Sequence, residues 1–226
     1  MKTLPILIML CASLALAGDA PPKAHADVYD REGNIYMKGT DGQELQLTTS
    51  GKDSHATLSQ NGQQVIFVRR VQELKDNPLG VAEDDAAMLY ASWSPDEIWT
   101  MDIQDKKPKV LRKSTYEKEP KKCTGWFYDL NFSPDGKTIY YACQPGSPST
   151  GAIHAMSFDG TDDRWLCWGQ SVDVVGGDKS DKYYGHLVVS RKADDGAYDI
   201  SMLMTPDGKE IEKISEAFWK SHQKVK

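Results

Sequence analysis

The chain has 226 residues, a formal charge of −6 and 27% charged side chains, which fits one domain or a small pair. No basic stripe runs through it, which argues against nucleic acid as a partner and against docking on anionic lipid. After the first residues no apolar run is long enough to span a bilayer.

The start reads as a leader. Lys2 gives a positive n-region, Leu4 to Leu16 an apolar stretch, and Ala15-Leu16-Ala17 a small-x-small cleavage site. That is the layout of a secretory signal peptide over residues 1–17. Leu10 stands directly before Cys11, where a lipidated cysteine needs a small residue. Cleavage after Ala17 takes Lys2 from the 27 basic residues, against 33 acidic ones. The expectation is an exported protein, periplasmic or secreted, with residues 18–226 as one small domain. Cys123, Cys143 and Cys167 survive processing. An oxidising compartment favours one disulfide among them, with one thiol left over.

In chain order, "NIYMKGTDGQELQLT" (34–48) reads as an Ile-aromatic strand, an Asp-Gly turn and a strand ending in Leu-Thr. "ATLSQNGQQVIFVRR" (56–70) reads as a hairpin around Asn61-Gly62, with Val65 to Val68 as the exit strand. Asn-Gly and Asp-Gly supply the positive φ that tight hairpins need. Residues 72–92 fit no element. They carry Glu73, Asp76, Glu83, Asp84 and Asp85 against Lys75, and Pro78-Leu79-Gly80 breaks any helix or strand. Long loops in compact domains are often functional. One reading is a recognition loop whose acidic residues steer a basic partner, with Leu79, Met88 or Trp93 as anchors. The other is a solvated connection.

Residues 97–114 repeat the first element without the glycine. "LNFSPDGKTIYYA" (130–142) repeats the hairpin around Ser133-Pro134-Asp135-Gly136. Residues 152–168 restore Asp159-Gly160, and residues 199–215 close the series with Pro206-Asp207-Gly208. "YYGHLVVS" (183–190) is a looser hairpin copy in which only the exit strand is clear. The segment 215–226 is helix-like and lysine-rich. It reads as a solvated tail, unless Phe218-Trp219 packs a short turn onto the last sheet.

The two elements alternate, and the isoleucines that open the first are Ile35, Ile98, Ile153 and Ile200, at separations of 63, 55 and 47 residues. Together they make a four-stranded antiparallel unit. Several strands are apolar on both faces, as in Ile98-Trp99-Thr100-Met101, which suits sheets stacked face to face. Radial repetition of such units is a β-propeller. A plain sandwich leaves the repeated Asp-Gly spacing unexplained.

The Ile-Tyr strand, Asp-Gly turn and Leu-Thr strand, followed by "FSPDGKTIYYA" (132–142), resemble the repeat of TolB-type β-propellers. The resemblance covers about residues 30–214, unevenly. It implies an all-β TolB-like propeller of about four, possibly five, four-stranded antiparallel blades. A fifth would draw on Val28-Tyr29 and residues 86–93. Propellers of this type usually have six blades or more. An open stack of fewer would expose two apolar blade faces and long sheet edges, so a small closed ring is the expectation and an open stack the alternative.

Catalytic signatures are mostly absent from the sequence: no Gly-x-Ser-x-Gly, His-Glu-x-x-His, Walker loop or Cys-x-x-Cys. His154 and His186 read as hydrogen-bonded packing residues, and His55 as closing a turn. Asp159 to Asp163 has only a faint likeness to a calcium loop, which the turn already explains. No metal or other cofactor is expected. Trp99 and Trp165 read as core; for Trp93 and Trp126 surface and core stay equally open. The turn near Asp135 brings Cys123 towards Cys143, so this pair is the expected disulfide. The register sets residue 143 across from about 127, so a bend before Trp126 is needed to bring the Cα atoms within ~7 Å. The rival pair is Cys143–Cys167 on neighbouring strands.

The functional expectation is a non-enzymatic, exported binding or scaffold module whose partner is a protein. One version is an inhibitor or immunity-type protein capping a secreted enzyme. The competing class is an enzyme. Some large propellers resembling TolB have lyase or peptidase-associated roles, with a histidine-rich site or an attached catalytic domain.

Overall fold

The structure is a computed structural model and describes residues 27–71, 96–115, 125–144, 151–193 and 199–222. The expected leader, and Leu79, Glu83, Asp84, Asp85, Met88, Trp93 and Cys123, lie outside the described residues.

The turns show why the repeat needs its residues. Gly62 and Gly136 hold φ of 68° and 71°, where a Cβ is disfavoured. In each hairpin a serine binds both sides of the turn. The Ser133 hydroxyl donates to Asp135 at 2.6 Å and accepts from the Thr138 amide at 2.9 Å. Ser59 does the same with Asn61 and Gln64, at 2.7 and 3.0 Å. Ser-Pro-Asp-Gly is thus a self-contained hydrogen-bonded corner between two apolar strands.

Four antiparallel sheets result. The first has three strands, β1 (Asp27–Arg31), β2 (Asn34–Lys38) and β3 (Glu44–Gln46). The second holds β4 (Asp53–Leu58), β5 (Gln64–Arg70), β6 (Asp96–Asp102) and β7 (Lys109–Lys113). The third holds β8 (Tyr128–Phe132), β9 (Thr138–Cys143), β10 (Ala152–Ser157) and β11 (Arg164–Trp168). The fourth holds β12 (Ser171–Val174), β13 (Leu187–Lys192), β14 (Asp199–Met204) and β15 (Glu210–Ile214). A short helix, α1 (Glu216–His222), follows. The four repeat isoleucines lie in β2, β6, β10 and β14, the third strand of each unit. The first blade therefore shows no inner strand among the described residues.

The sheets stack as blades. Ile35, Val65, Phe67 and Met101 close the seam between the first and second. Ile66, Ile98, Phe127, Phe132 and Tyr141 close the next. Tyr140, Ile153, Val172, Leu187 and Met204 close the third. Each middle blade thus buries both faces, as the two-sided apolar strands require. The inner strands β4, β8 and β12 follow one another around the axis, with β1 against β4.

The exit strand read in residues 183–190 is β13; its entry strand is β12, with a connection over 175–186 between them. Two expectations change. The lysine-rich end is a helix as far as His222, with Phe218 packed on Val175, Val188, Leu203 and Ile214. Among the described residues the ring is not closed by laying the fourth blade on the first: Tyr183 and Phe218 cover the far face of the fourth. The four blades form an arc.

Candidate functional site

Because each blade is a meander, its strand ends sort to two ends of the arc. One end carries the tight turns at Gly62, Gly136, Gly160 and Gly208. At the other, the Asp53 amide donates to the Gly33 carbonyl at 2.8 Å, which sets the start of β4 beside the β1–β2 turn. The strand ends that flank residues 72–95, 116–124, 145–150 and 194–198 also lie here. Loops gathered at one end of a rigid frame are where such folds place recognition.

Two inner strands carry a bulge at this end. The β4–β5 register shifts between Ser54 and Thr57, and the β8–β9 register between Tyr128 and Asn131. His55 and Asp129 sit in these bulges with φ of 53° and 48°. Each stands four residues before its turn serine, Ser59 or Ser133. Bulges re-aim side chains and recur beside functional sites. The His55 amide donates to Asp30 of β1 at 3.3 Å. Burial pushes the Asp129 carboxyl above its ordinary value, against the Val172 backbone hydrogen bond and the nearby His55, which pull it down. Below them the inner strands are tied together. Thr57 donates to the Leu130 carbonyl at 2.6 Å, and Asn131 to the Val172 carbonyl at 2.9 Å.

Trp126 precedes β8 on the same rim, with φ of 47° and 43% of its surface exposed. Of the two open tryptophans it is a surface residue; Trp99 and Trp165 are partly buried against the core. At the start of β4, Asp53 is fully buried in a two-point ion pair with Arg69, at 2.6 and 2.9 Å. Arg69 in turn lies 4.4 Å over the Trp99 ring. This pair fixes the start of β4 and hence the His55 bulge.

A second polar group lies in the seam between the second and third blades. Asp163 accepts from Tyr141 at 2.5 Å and pairs with Arg112 at 2.9 Å and His154 at 3.3 Å. Burial raises the Asp163 carboxyl, but the hydrogen bonds from His154 and Tyr141 and the charges beside it outweigh this and hold it below its ordinary value. His154 is 2% exposed and stacks on Tyr141 at 5.4 Å. It is the packing residue expected. Asp159 accepts from the Thr161 amide and hydroxyl, the turn role expected for it. Among the described residues, no three His, Cys, Asp or Glu side chains converge as metal ligands would.

The expected cysteine pair is half placed. Cys143 is buried at the end of β9, and residue 142 pairs with Tyr128, so the foreseen register holds. Cys167 is not beside it. Cys143 and Trp168 both face Ala152, whereas Cys167 pairs with Ile153 and packs on the opposite side of the blade.

Among the described residues, no helix is long and apolar enough to cross a membrane. No family model and no curated protein matches the sequence. Solved structures do. Oligogalacturonate lyase from Vibrio parahaemolyticus aligns at 13% identity and a TM-score of 0.55, over 84% of this chain and 50% of its own. An oligogalacturonate lyase in complex with manganese aligns at 12% and 0.53, over 84% and 50%. A chain of a nidogen/laminin complex aligns at 11% and 0.51, over 78% and 55%. The chain spans about half the length of these structures. At such identities the likeness is one of fold: the protein is an all-β propeller arc with four blades among its described residues.

Proposed function

We propose that the protein is an exported, non-enzymatic module that binds another protein through the loop-bearing end of the arc. The observation that carries this is the rim itself. Trp126 stands exposed on a left-handed backbone at the start of β8, on the rim where two bulged inner strands place an exposed His55 and a partly buried Asp129. Exposed aromatics backed by a rigid frame make binding anchors. Strained backbone and shifted carboxylates cluster at functional positions. The acidic stretch 72–92 joins strands that end at the same rim, so its recognition role belongs to this proposal. The partner site is then acidic and aromatic, and its attraction for a basic partner weakens with salt.

The test is paired capture. Mature wild-type protein and a Trp126→Ala variant are immobilised and exposed to the envelope extract of the source cell. The expected result is one protein retained by the wild type and lost from the variant, with the variant's melting temperature unchanged. Equal retention by both refutes the rim as the site. Elemental analysis of the same preparation addresses catalysis: stoichiometric manganese, zinc or calcium would overturn the non-enzymatic reading.

A further inference from the structure

We propose that the C-terminal segment is a built-in cap, which takes on the fourth blade the place that a following blade takes on the others. In that place it keeps the last sheet from stacking on a second copy of the chain.

The repeat shows what the place is. In each blade an aliphatic residue in or directly after the outer strand lies beside the opening of the isoleucine strand: Leu47, Leu111, Leu166 and Ile214. Leu47 and Thr48 both donate to the Ile35 carbonyl, and the strand register slips at Leu111 and at Leu166. In the second and third blades the next blade's turn glycine then sits on this residue. A Cβ on Gly160 would stand 2.5 Å from the Leu111 carbonyl oxygen, and one on Gly208 3.0 Å from the Leu166 Cβ. Ile214 closes the series. Among the described residues no turn glycine reaches it; Tyr183 and Phe218 cover it together with Val175, Val188 and Leu203.

The cover is fastened at both ends. Ser215 accepts from the Phe218 amide at 3.1 Å, an N-cap for α1. The His222 ring stacks on Phe218 at 4.2 Å, and its Nε2 lies 3.1 Å from Asp181 Oδ2. Tyr183 meets Phe218 edge-on at 5.4 Å and donates to Glu212 at 3.1 Å. Lys182, itself exposed, lies 4.3 Å over the Tyr183 ring. The inner side of the cap is thus aromatic and the outer side charged. A helix this short is not stable by itself in water, so the packing holds it. Stacked repeats need such polar-faced ends to stay soluble, because a bare sheet face of this kind is an association site.

The experiment compares the mature chain with one ending at Ser215 and with a full-length His222→Ala variant. The chain ending at Ser215 is expected to sediment as a larger species than the full chain, increasingly so with concentration, while keeping its β-sheet circular dichroism. In the His222→Ala variant, amide exchange is expected to rise severalfold in β13 to β15 and in α1, and to stay at the wild-type rate in β9 and β10. A shortened chain that folds and sediments at the mass of one full chain equivalent to wild type overturns the proposal. If the shortened chain does not fold, His222→Ala decides: local acceleration confined to the fourth blade supports the cap, and wild-type exchange there refutes it.

Discussion

Gly160 rests against Leu111 of the preceding blade so closely that a Cβ on the glycine would stand 2.5 Å from the Leu111 carbonyl oxygen. Gly208 rests on Leu166 in the same way, with 3.0 Å available. Both hold φ of 90°. Gly42 occupies the corresponding turn of the first blade with φ of 79° and nothing within 4 Å of an added Cβ. Alanine at Gly42 therefore meets backbone strain only, about 1 kcal/mol. Alanine at Gly208 adds a tight contact with a side chain, and at Gly160 a clash with backbone, for about 2–4 kcal/mol. Urea unfolding should rank Gly42→Ala, Gly208→Ala and Gly160→Ala in order of increasing loss. Equal losses would mean that the turns do not seat on their neighbours.

Asp163 ties blade to blade through Arg112. Its folded carboxyl lies below the ordinary value, which is near 3.9, because hydrogen bonds from His154 and Tyr141 and the Arg112 charge overcome the effect of burial. A depressed carboxyl contributes stability that is fully present above the unfolded value and lost as pH falls through the folded one. Wild-type stability should thus drop below about pH 4. Asp163→Asn should cost about 2–4 kcal/mol at pH 7 and show a shallower acid limb. An unchanged acid limb in the variant would remove Asp163 from the account.

Asp129 behaves in the opposite sense. Burial is the largest influence on it and raises its carboxyl, so the charged form at neutral pH is a net cost to the fold. That cost is lost as pH falls through the raised folded value. Asn tolerates the left-handed backbone at this position. Asp129→Asn should therefore melt no lower than wild type at pH 7 while losing the captured partner. A clear drop in melting temperature would assign Asp129 to structure rather than to recognition.

Cys143 and Cys167 face opposite sides of the third blade. Non-reducing peptide mapping of folded protein should contain no crosslink between them. Burial pushes the Cys167 thiol up to about 12, and its Sγ lies 3.7 Å from the Met204 sulfur. Thiols react as thiolates, so Cys167 should resist alkylation at pH 8 in the native state and react readily in urea. Rapid native labelling at Cys167 would show that this seam opens.

The parts of the fold legible in sequence are those dictated by local backbone chemistry. Ser133-Pro134-Asp135-Gly136 announces its corner because each residue is used within it. The isoleucine strands are readable for the same reason, since an Asp-Gly turn follows three of the four. β12 is different: Ser171 to Val174 is four residues long, and its partner β13 starts only after the connection over 175–186, so no turn signal marks it. The rim was not legible because bulges bring Asp30, His55 and Asp129 together across three blades. Their one trace is the shared place of His55 and Asp129, four residues before a turn serine. The cap is legible only as the alternative in which Phe218-Trp219 packs a short turn onto the last sheet, because its aromatic contacts join Tyr183 to Phe218 and His222, which are distant in sequence, and because lysines flank them.

The most direct test of the binding face is an amide-exchange footprint of the captured complex. Partner binding should slow exchange at the loop-bearing rim: residues 30–34 at the β1–β2 turn, 51–56 at the start of β4, and 125–130 at the start of β8. The turn end, at 59–63, 133–137 and 205–209, should exchange as in the unbound protein. Protection confined to the turn end or to the outer strands β7 and β11 would contradict the account.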